Sequence, residues 1–221
     1  MNVQKLIIMF FVISLLVFVD RVKANIDELP LLGKVIFVDP GHGGRDPGTM
    51  HGNLLEKDIV LEISRVLRDE LLKKGAIVYM TRDADVDLST RWDNQKKRGD
   101  LYRRILLYKK HNADLYLSIH VNHFKNPSWS GAEILYHPIN KNNEILGEIL
   151  MTNFKERLGS KRRLKTTDLY MYKSTTIPGV LIECGFISNP RERKLLQDKD
   201  YQLKISEVIT DSVIEYFRII E

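Results

Sequence analysis

The segment KVIFVDPGHGG, residues 34–44, decides the fold. Residues 34–39 are a short apolar run that Pro40 and Gly41 end, the pattern of a buried strand leaving a sheet for a loop. Residues 53–74 follow with Ile59, Ile63, Val66, Leu67 and Leu71 at helical spacing and Gly75 as a stop. The alternation continues to the end of the chain. Strands are expected at 76–81, 115–120, 131–136, 169–172 and 179–183, and helices at 88–110 with an interruption near Gly99, at 143–158, from Pro190 and at 202–219. Strands alternating with helices predict an α/β fold: a single domain with a mostly parallel, six-stranded twisted sheet and helices on both faces. No internal repeat or low-complexity tract interrupts it.

The chain of 221 residues is 43% hydrophobic and 29% charged, a balance that suits one globular domain and excludes disordered or fibrous classes. Its formal charge is +5, of which Lys5, Arg21 and Lys23 against Asp20 account for two, so a chain beginning at Asn25 carries +3. That excess is too small to indicate a nucleic-acid partner. The basic runs 96–104 and 161–165 read as solvated faces, with attraction to an anionic polymer as the other reading. Cys184 is the one cysteine, so no intramolecular disulfide forms and the thiol reads as a buried apolar group.

Residues 1–24 read as a signal peptide or signal anchor. Lys5 precedes an uncharged apolar run, residues 6–19, and Val22-Lys23-Ala24 offers a small-residue cleavage pattern. Export across the cytoplasmic membrane follows, and a retained segment would associate the chain with the membrane. Residues 25–33 read as a linker, and 34–221 as the catalytic domain.

In an α/β sheet ligands collect beyond the carboxyl ends of the strands. His42 follows the first strand, His120 ends the strand 115–120, Glu183 ends the strand 179–183, and Glu56 opens the first helix and can return over the same edge. Two histidines and a carboxylate make a three-ligand catalytic zinc set with the fourth position left for water. Glycines around His42 let the backbone turn sharply there. Singly, each residue has a plain structural reading: a hydrogen-bonded histidine, an acid in a helix first turn, and for Glu183 a salt bridge to arginine.

The strings VDPGHGGRDPG, LLEKD, TRDAD, SIHVN, PGVLIECGFISNP and ERKLLQD resemble, in order and spacing, the zinc-dependent N-acetylmuramoyl-L-alanine amidases of the type 3 family, from about Lys34 to the C-terminus. Within that family the resemblance leans to the germination-specific amidases of spore-forming bacteria. The export segment joined directly to the domain, the basic stretch before Asn112-Ala-Asp-Leu115, Trp129-Ser-Gly-Ala132 and Asp168-Leu-Tyr-Met171 carry that leaning. The resemblance implies Zn2+ held by His42, Glu56 and His120, with Glu183 as the catalytic residue and with Asn122 and Arg91 in supporting roles at most. It implies cleavage of the amide between N-acetylmuramic acid and L-alanine in peptidoglycan, in spore cortex maturation that leads to muramic δ-lactam. The partners are the peptidoglycan glycan and stem peptide, and the location is the cell wall or the space between spore membranes. Whether a protein partner is needed is left open.

Other expectations stand beside these. A zinc peptidase cutting within the stem peptide would share the metal site, and a glycosidase would use Asp39 and Glu183 as a carboxylate pair without metal. A module that only binds the wall explains neither the donor set nor Glu183. Trp129, Tyr136, Tyr170 and Tyr172 are candidates for a sugar groove or for core and rim packing. His123-Phe124 departs from the small residue usual after the second-histidine motif.

Overall fold

The computed structural model describes residues 4, 7, 9–15 and 28–221. Of the amino-terminal segment, residues 9–15 are helical and exposed, while the Val22-Lys23-Ala24 pattern lies outside the described residues. Among the described residues no helix is long and apolar enough to cross a membrane.

The chain runs β1 (Val35–Pro40), a small hairpin β2 (Met50–His51) and β3 (Leu54–Leu55), α1 (Glu56–Lys73), β4 (Ile77–Met80), α2 (Lys96–Lys110), β5 (Leu115–Asn122), β6 (Glu133–Tyr136), α3 (Lys141–Leu158), β7 (Lys165–Thr166), α4 (Tyr170–Lys173), β8 (Gly179–Phe186), α5 (Pro190–Leu195) and α6 (Lys199–Ile220). The main sheet has six strands in the order β4-β1-β5-β8-β6-β7, and every pairing is parallel except β6 with β8. This is the expected α/β architecture.

Period-2 alternation sends the strand residues to two different layers. Ile36, Val38, Leu115, Leu117, Ile119, Val180, Ile182 and Cys184 face a core closed by α1, α3 and α6, whose buried residues include Leu67, Leu150 and Val213. Phe37, Tyr116 and Leu181 face a smaller core under α2 and α4, with Ile105, Tyr108 and Met171. Cys184 is fully buried on the first face, as a strand continuing past Glu183 requires. Leu31, in the stretch expected to link segment to domain, is also fully buried and donates its backbone N–H to the Lys74 carbonyl.

Three sequence expectations are corrected. Residues 169–172 form no strand: Leu169 caps the short helix α4, because Met171 and Tyr172 turn into the second core. The sixth strand is instead β7, which pairs with β6 through Leu135 and Lys165. The basic helix begins at Lys96, not at 88, and runs unbroken through Gly99, whose missing side chain leaves room for Asp93: a Cβ there would stand 2.4 Å from its carboxyl carbon. Residues 88–95 are held instead as a loop, with Leu88 N–H donating to Asp100 and Thr90 N–H to Asp93.

Candidate active site

Parallel pairing of β1, β5 and β8 brings their carboxyl ends to one edge, with His120 of β5 in register with Glu183 of β8. His42 lies just past β1. Glu56 is the first residue of α1, and its backbone N–H donates to the Thr49 carbonyl, so the β2–β3 hairpin returns the helix start over that edge. Antiparallel β6 delivers its first residue, Glu133, opposite Glu183. The result is a cavity of about 590 Å³ lined by His42, Glu56, His120, Glu133's neighbour Asn122, and Glu183.

Glu56 Oε1 lies 3.2 Å from His42 Nε2 and 3.0 Å from His120 Nδ1. One candidate ligand atom from each of the three residues falls within 4.8 Å of the others. Glu56 is held in place by backbone donors, Val121 N–H to Oε1 at 3.1 Å and Thr49 N–H to Oε2 at 2.8 Å. Burial by itself would raise the Glu56 carboxyl, but His120 and His42 outweigh it and hold the group well below the usual carboxylate range. Burial pulls His42 down, and Glu56 and Asp46 more than restore it, so its pKa is raised.

Two glycines make this approach sterically accessible. A Cβ on Gly41 would stand 2.3 Å from the His120 ring, and one on Gly48, at φ +68°, would stand 2.6 Å from Glu56 Oε2 and 2.8 Å from the His42 ring. His42 itself takes φ +60°, an uncommon conformation for a side-chain-bearing residue and one that clusters at functional sites. Two imidazoles and a carboxylate are the donor mix of a catalytic zinc. Asp46 Oδ2 lies 3.0 Å from His42 Nδ1, where a carboxylate commonly backs a metal-ligating imidazole, although the pair falls short of hydrogen-bond geometry.

Across the cavity, Glu183 Oε2 is buried with no hydrogen-bond partner among the described residues. Burial, reinforced by the charges of Glu56 and Glu133 and only partly offset by Lys165, pushes its carboxyl well above the usual range. A carboxyl shifted in this direction holds a proton more readily than a solvated one, the property a general acid–base needs. Among the described residues no arginine pairs with Glu183, so the salt bridge considered for it is not seen. Its neighbour Glu133 is buried against Lys165 Nζ at 2.6 Å and Asn122 Nδ2 at 3.4 Å.

Below the loop lies a buried polar frame. Asp39 accepts from Thr81 Oγ1 and Arg104 on Oδ1 and from Ser118 Oγ on Oδ2. Arg104 also donates to the carbonyls of Pro40 and His42 and pairs with Asp100, while Arg82 donates to the carbonyls of Pro40 and Gly41. Burial and the charge of Arg104 lower Arg82 to about 10. The carboxylate pair Asp39–Glu183 is thereby corrected: both oxygens of Asp39 are engaged and its pKa is lowered, burial being overcome by Arg104, Thr81 and Ser118, so it holds the loop. The run 96–104 is likewise not a simple solvated face, since Arg104 is 1% exposed.

Of the supporting candidates, Asn122 lines the cavity, whereas Arg91 lies over the Trp92 ring at 4.5 Å and does not. Trp129 does not line the cavity and stands between Phe124 at 4.1 Å and the Arg162 guanidinium at 4.1 Å. Tyr172 is buried against Tyr116, Tyr136 donates to Glu144, and Tyr170 lines the cavity, as does His123. Sequence reasoning passed over Asp46, Glu133 and Arg104. Asp46 stands four residues after His42, and Glu133 opens an apolar strand much as Glu183 punctuates one, so both had a readable signal; Arg104 lay hidden in a basic run.

An α/β sheet with a His–Glu–His donor cluster at its carboxyl edge, facing a free ionisable carboxylate across an open cavity, defines a hydrolase. The profile of the N-acetylmuramoyl-L-alanine amidases matches residues 36–215. The chain belongs to this family, enzymes that hydrolyse an amide of peptidoglycan. It is 40% identical over 195 residues to the germination-specific N-acetylmuramoyl-L-alanine amidase of Bacillus subtilis, covering 86% of this chain and 82% of that one. Its fold superposes with TM-score 0.80 and 34% identity on the CwlD amidase of Clostridioides difficile, solved in complex with the GerS lipoprotein, over 85% of this chain and 100% of that one. An N-acetylmuramoyl-L-alanine amidase from Clostridium difficile matches with TM-score 0.74 and 29% identity, over 84% of this chain and 97% of that one.

Proposed function

We propose that this amidase is zinc-dependent, with His42, Glu56 and His120 holding the ion and Glu183 acting as general base and then general acid. The convergence of three donor atoms within 4.8 Å, opposite a buried carboxyl oxygen without a partner, carries the reading. A bound zinc supplies Lewis acidity, lowering the pKa of water to about 7 and offsetting negative charge on the substrate carbonyl. Glu183 takes the proton of the attacking water and returns it to the departing alanine nitrogen, a step the reaction needs because an amide anion is a very poor leaving group. Asp46 keeps the His42 ring oriented, and Glu133 with Lys165 sets the charge around Glu183.

The same reading extends to place and role. The apolar segment of residues 6–19 exports the chain, residues 34–221 act on peptidoglycan outside the cytoplasmic membrane, and the substrate is spore cortex on its way to muramic δ-lactam. Similarity to the germination-specific enzyme supports the cortex assignment. A lipoprotein partner belongs to the reading as well, because the CwlD structure is that of a complex with GerS.

The test is mass spectrometry of purified peptidoglycan treated with the zinc-loaded enzyme and with a chelated control. Free stem peptide beginning at L-alanine, with peptide-free muramic acid and no product after chelation, is expected. Fragments still attached to muramic acid would mark a peptidase, and new reducing sugar ends surviving chelation a glycosidase.

A further inference from the structure

One basic feature is left unused by the chemistry above. Beside the catalytic cavity lies a second one of about 660 Å³, and the two share Lys97, Leu101, Leu169 and Tyr170 as a common wall. Lys96, Lys97, Arg98 and Lys173 contribute four positive charges to its lining, against Asp168 as the one carboxylate. Asp168 is shared between Lys173 Nζ at 3.0 Å and His137 Nε2 at 3.6 Å, so it does not balance the rest. Lys97 reaches Asp46 only at 3.5 Å with most of its side chain exposed, and the Arg98 guanidinium lies 5.1 Å over the Tyr170 ring.

Lys96, Lys97 and Arg98 occupy the first turn of α2, where the helix dipole is positive, with no acid there and no capping bond from Gln95. The helix dipole disfavours this placement, and of the three only Lys96 is taken up by the fold, its Nζ donating to the carbonyls of Thr90 at 2.8 Å and Arg91 at 3.0 Å, so Lys97 and Arg98 are left facing the groove. Local violations of this kind concentrate where a ligand supplies the compensation. The floor formed by Leu101, Leu169 and Tyr170 is apolar, which suits aliphatic stretches between charged groups.

We propose that this groove holds the acidic stem peptide of the substrate, with the carboxylates of residues beyond the cleaved amide against Arg98, Lys173 and Lys97. The inference rests on the amidase reading and adds the direction in which the peptide leaves the cleaved bond: toward α2 and α4, not toward Trp129. Peptides rich in free carboxylate are bound in preference to amidated ones.

The test uses the full chain carrying Arg98→Glu and Lys173→Glu, which avoids Lys97 because of its contact with Asp46. Two substrates are compared, a glycan fragment bearing stem peptides with free carboxylates and the same fragment with those carboxylates converted to primary amides. For the native chain, KM is expected to be roughly tenfold lower on the free-carboxylate substrate, the double variant is expected to lose that preference, and kcat is expected to hold, since exposed ion pairs each contribute a small factor. The milder Arg98→Gln with Lys173→Gln falls between, and Lys204→Glu on α6 leaves KM as it was. Calorimetry of the free acidic peptide with each protein reads the groove without turnover: binding by the native chain and not by the double variant is expected. Equal KM rises on both substrates, or unchanged peptide binding in the double variant, would overturn the proposal. Peptide binding without release of peptide from muramic acid would instead sink the amidase reading and leave the groove standing.

Discussion

On one face of the sheet α1, α3 and α6 close over a mainly apolar layer from Ile36 to Phe217, its buried polar groups being small hydroxyls such as Ser64, Ser206 and Thr210 and the amide of Gln202; on the other, α2 and α4 cover aromatic residues that give way, toward the carboxyl edge, to Asp39, Ser118, His120 and Glu183. The two faces use the same strands in alternate residues, so a side chain's layer is decided by parity alone. The first face stabilises by burial and is indifferent to pH. The second trades some of that stability for a set of charged groups fixed in position, which is what a preorganised site requires.

The difference is sharpest at Glu183. Glu183→Gln is expected to lower kcat by about 10²- to 10⁴-fold while zinc content stays unchanged, the range for loss of a general acid–base. Wild-type turnover in that variant would remove Glu183 from the mechanism. The same change is expected to stabilise the metal-free protein near pH 7. Its carboxyl is raised on folding, so the folded state is penalised once pH exceeds the unfolded value of about 4.3, and the difference between the two proteins vanishes below it. What the substitution removes is the cost of ionising a buried carboxyl, since the carboxamide carries no charge at either pH. Urea melts at pH 4 and pH 7 check the sign.

Arg104→Met probes the frame of the same face, leaving Asp39 buried without its cation; a loss of about 3–5 kcal/mol in denaturant unfolding is expected. Asp39 has a depressed pKa, so its contribution is present above about pH 4 and fades as pH falls toward the lower folded value, a dependence the variant should lack. Leu117→Ala, on the apolar face, should cost about 3 kcal/mol with no pH dependence and no change in zinc affinity. A pH-dependent loss there would undo the contrast between the faces. Smallest is Asp46→Asn, expected to weaken zinc about 10- to 100-fold, read by competition with a chromogenic chelator, with stability in the absence of metal little altered.

Much of this was legible beforehand because period and punctuation are local properties. The apolar run 34–39 ended by Pro40, the spacing of Ile59, Ile63 and Leu67, and the position of His42, His120 and Glu183 toward the carboxyl ends of strands each depend on a few neighbouring residues, although β5 and β8 run on to Asn122 and Phe186, past the ends expected at His120 and Glu183. Residues 169–172 show the converse. Leu169, Tyr170, Met171 and Tyr172 have the composition of a strand, and whether they pair or curl depends on Tyr116 and the second core, distant in sequence. Lys165 ends the basic run 161–165, which reads as a solvated face, and it pairs in the sheet with Thr166 only because β6 lies beside them.

By itself the sequence determined the α/β class, a mostly parallel sheet and the residues that meet at its edge, since these follow from alternation and from turns a few residues long; that β6 is the strand running antiparallel came only with the structure. Only the tertiary structure decided that Asp39 is a tied anchor and not a catalytic acid, that Arg104 is buried while Lys97 and Arg98 of the same basic run are exposed, and that Glu133 and Asp46 stand behind the site. Charge and burial are properties of a side chain's surroundings, and those surroundings are assembled from segments the chain brings together only when it folds.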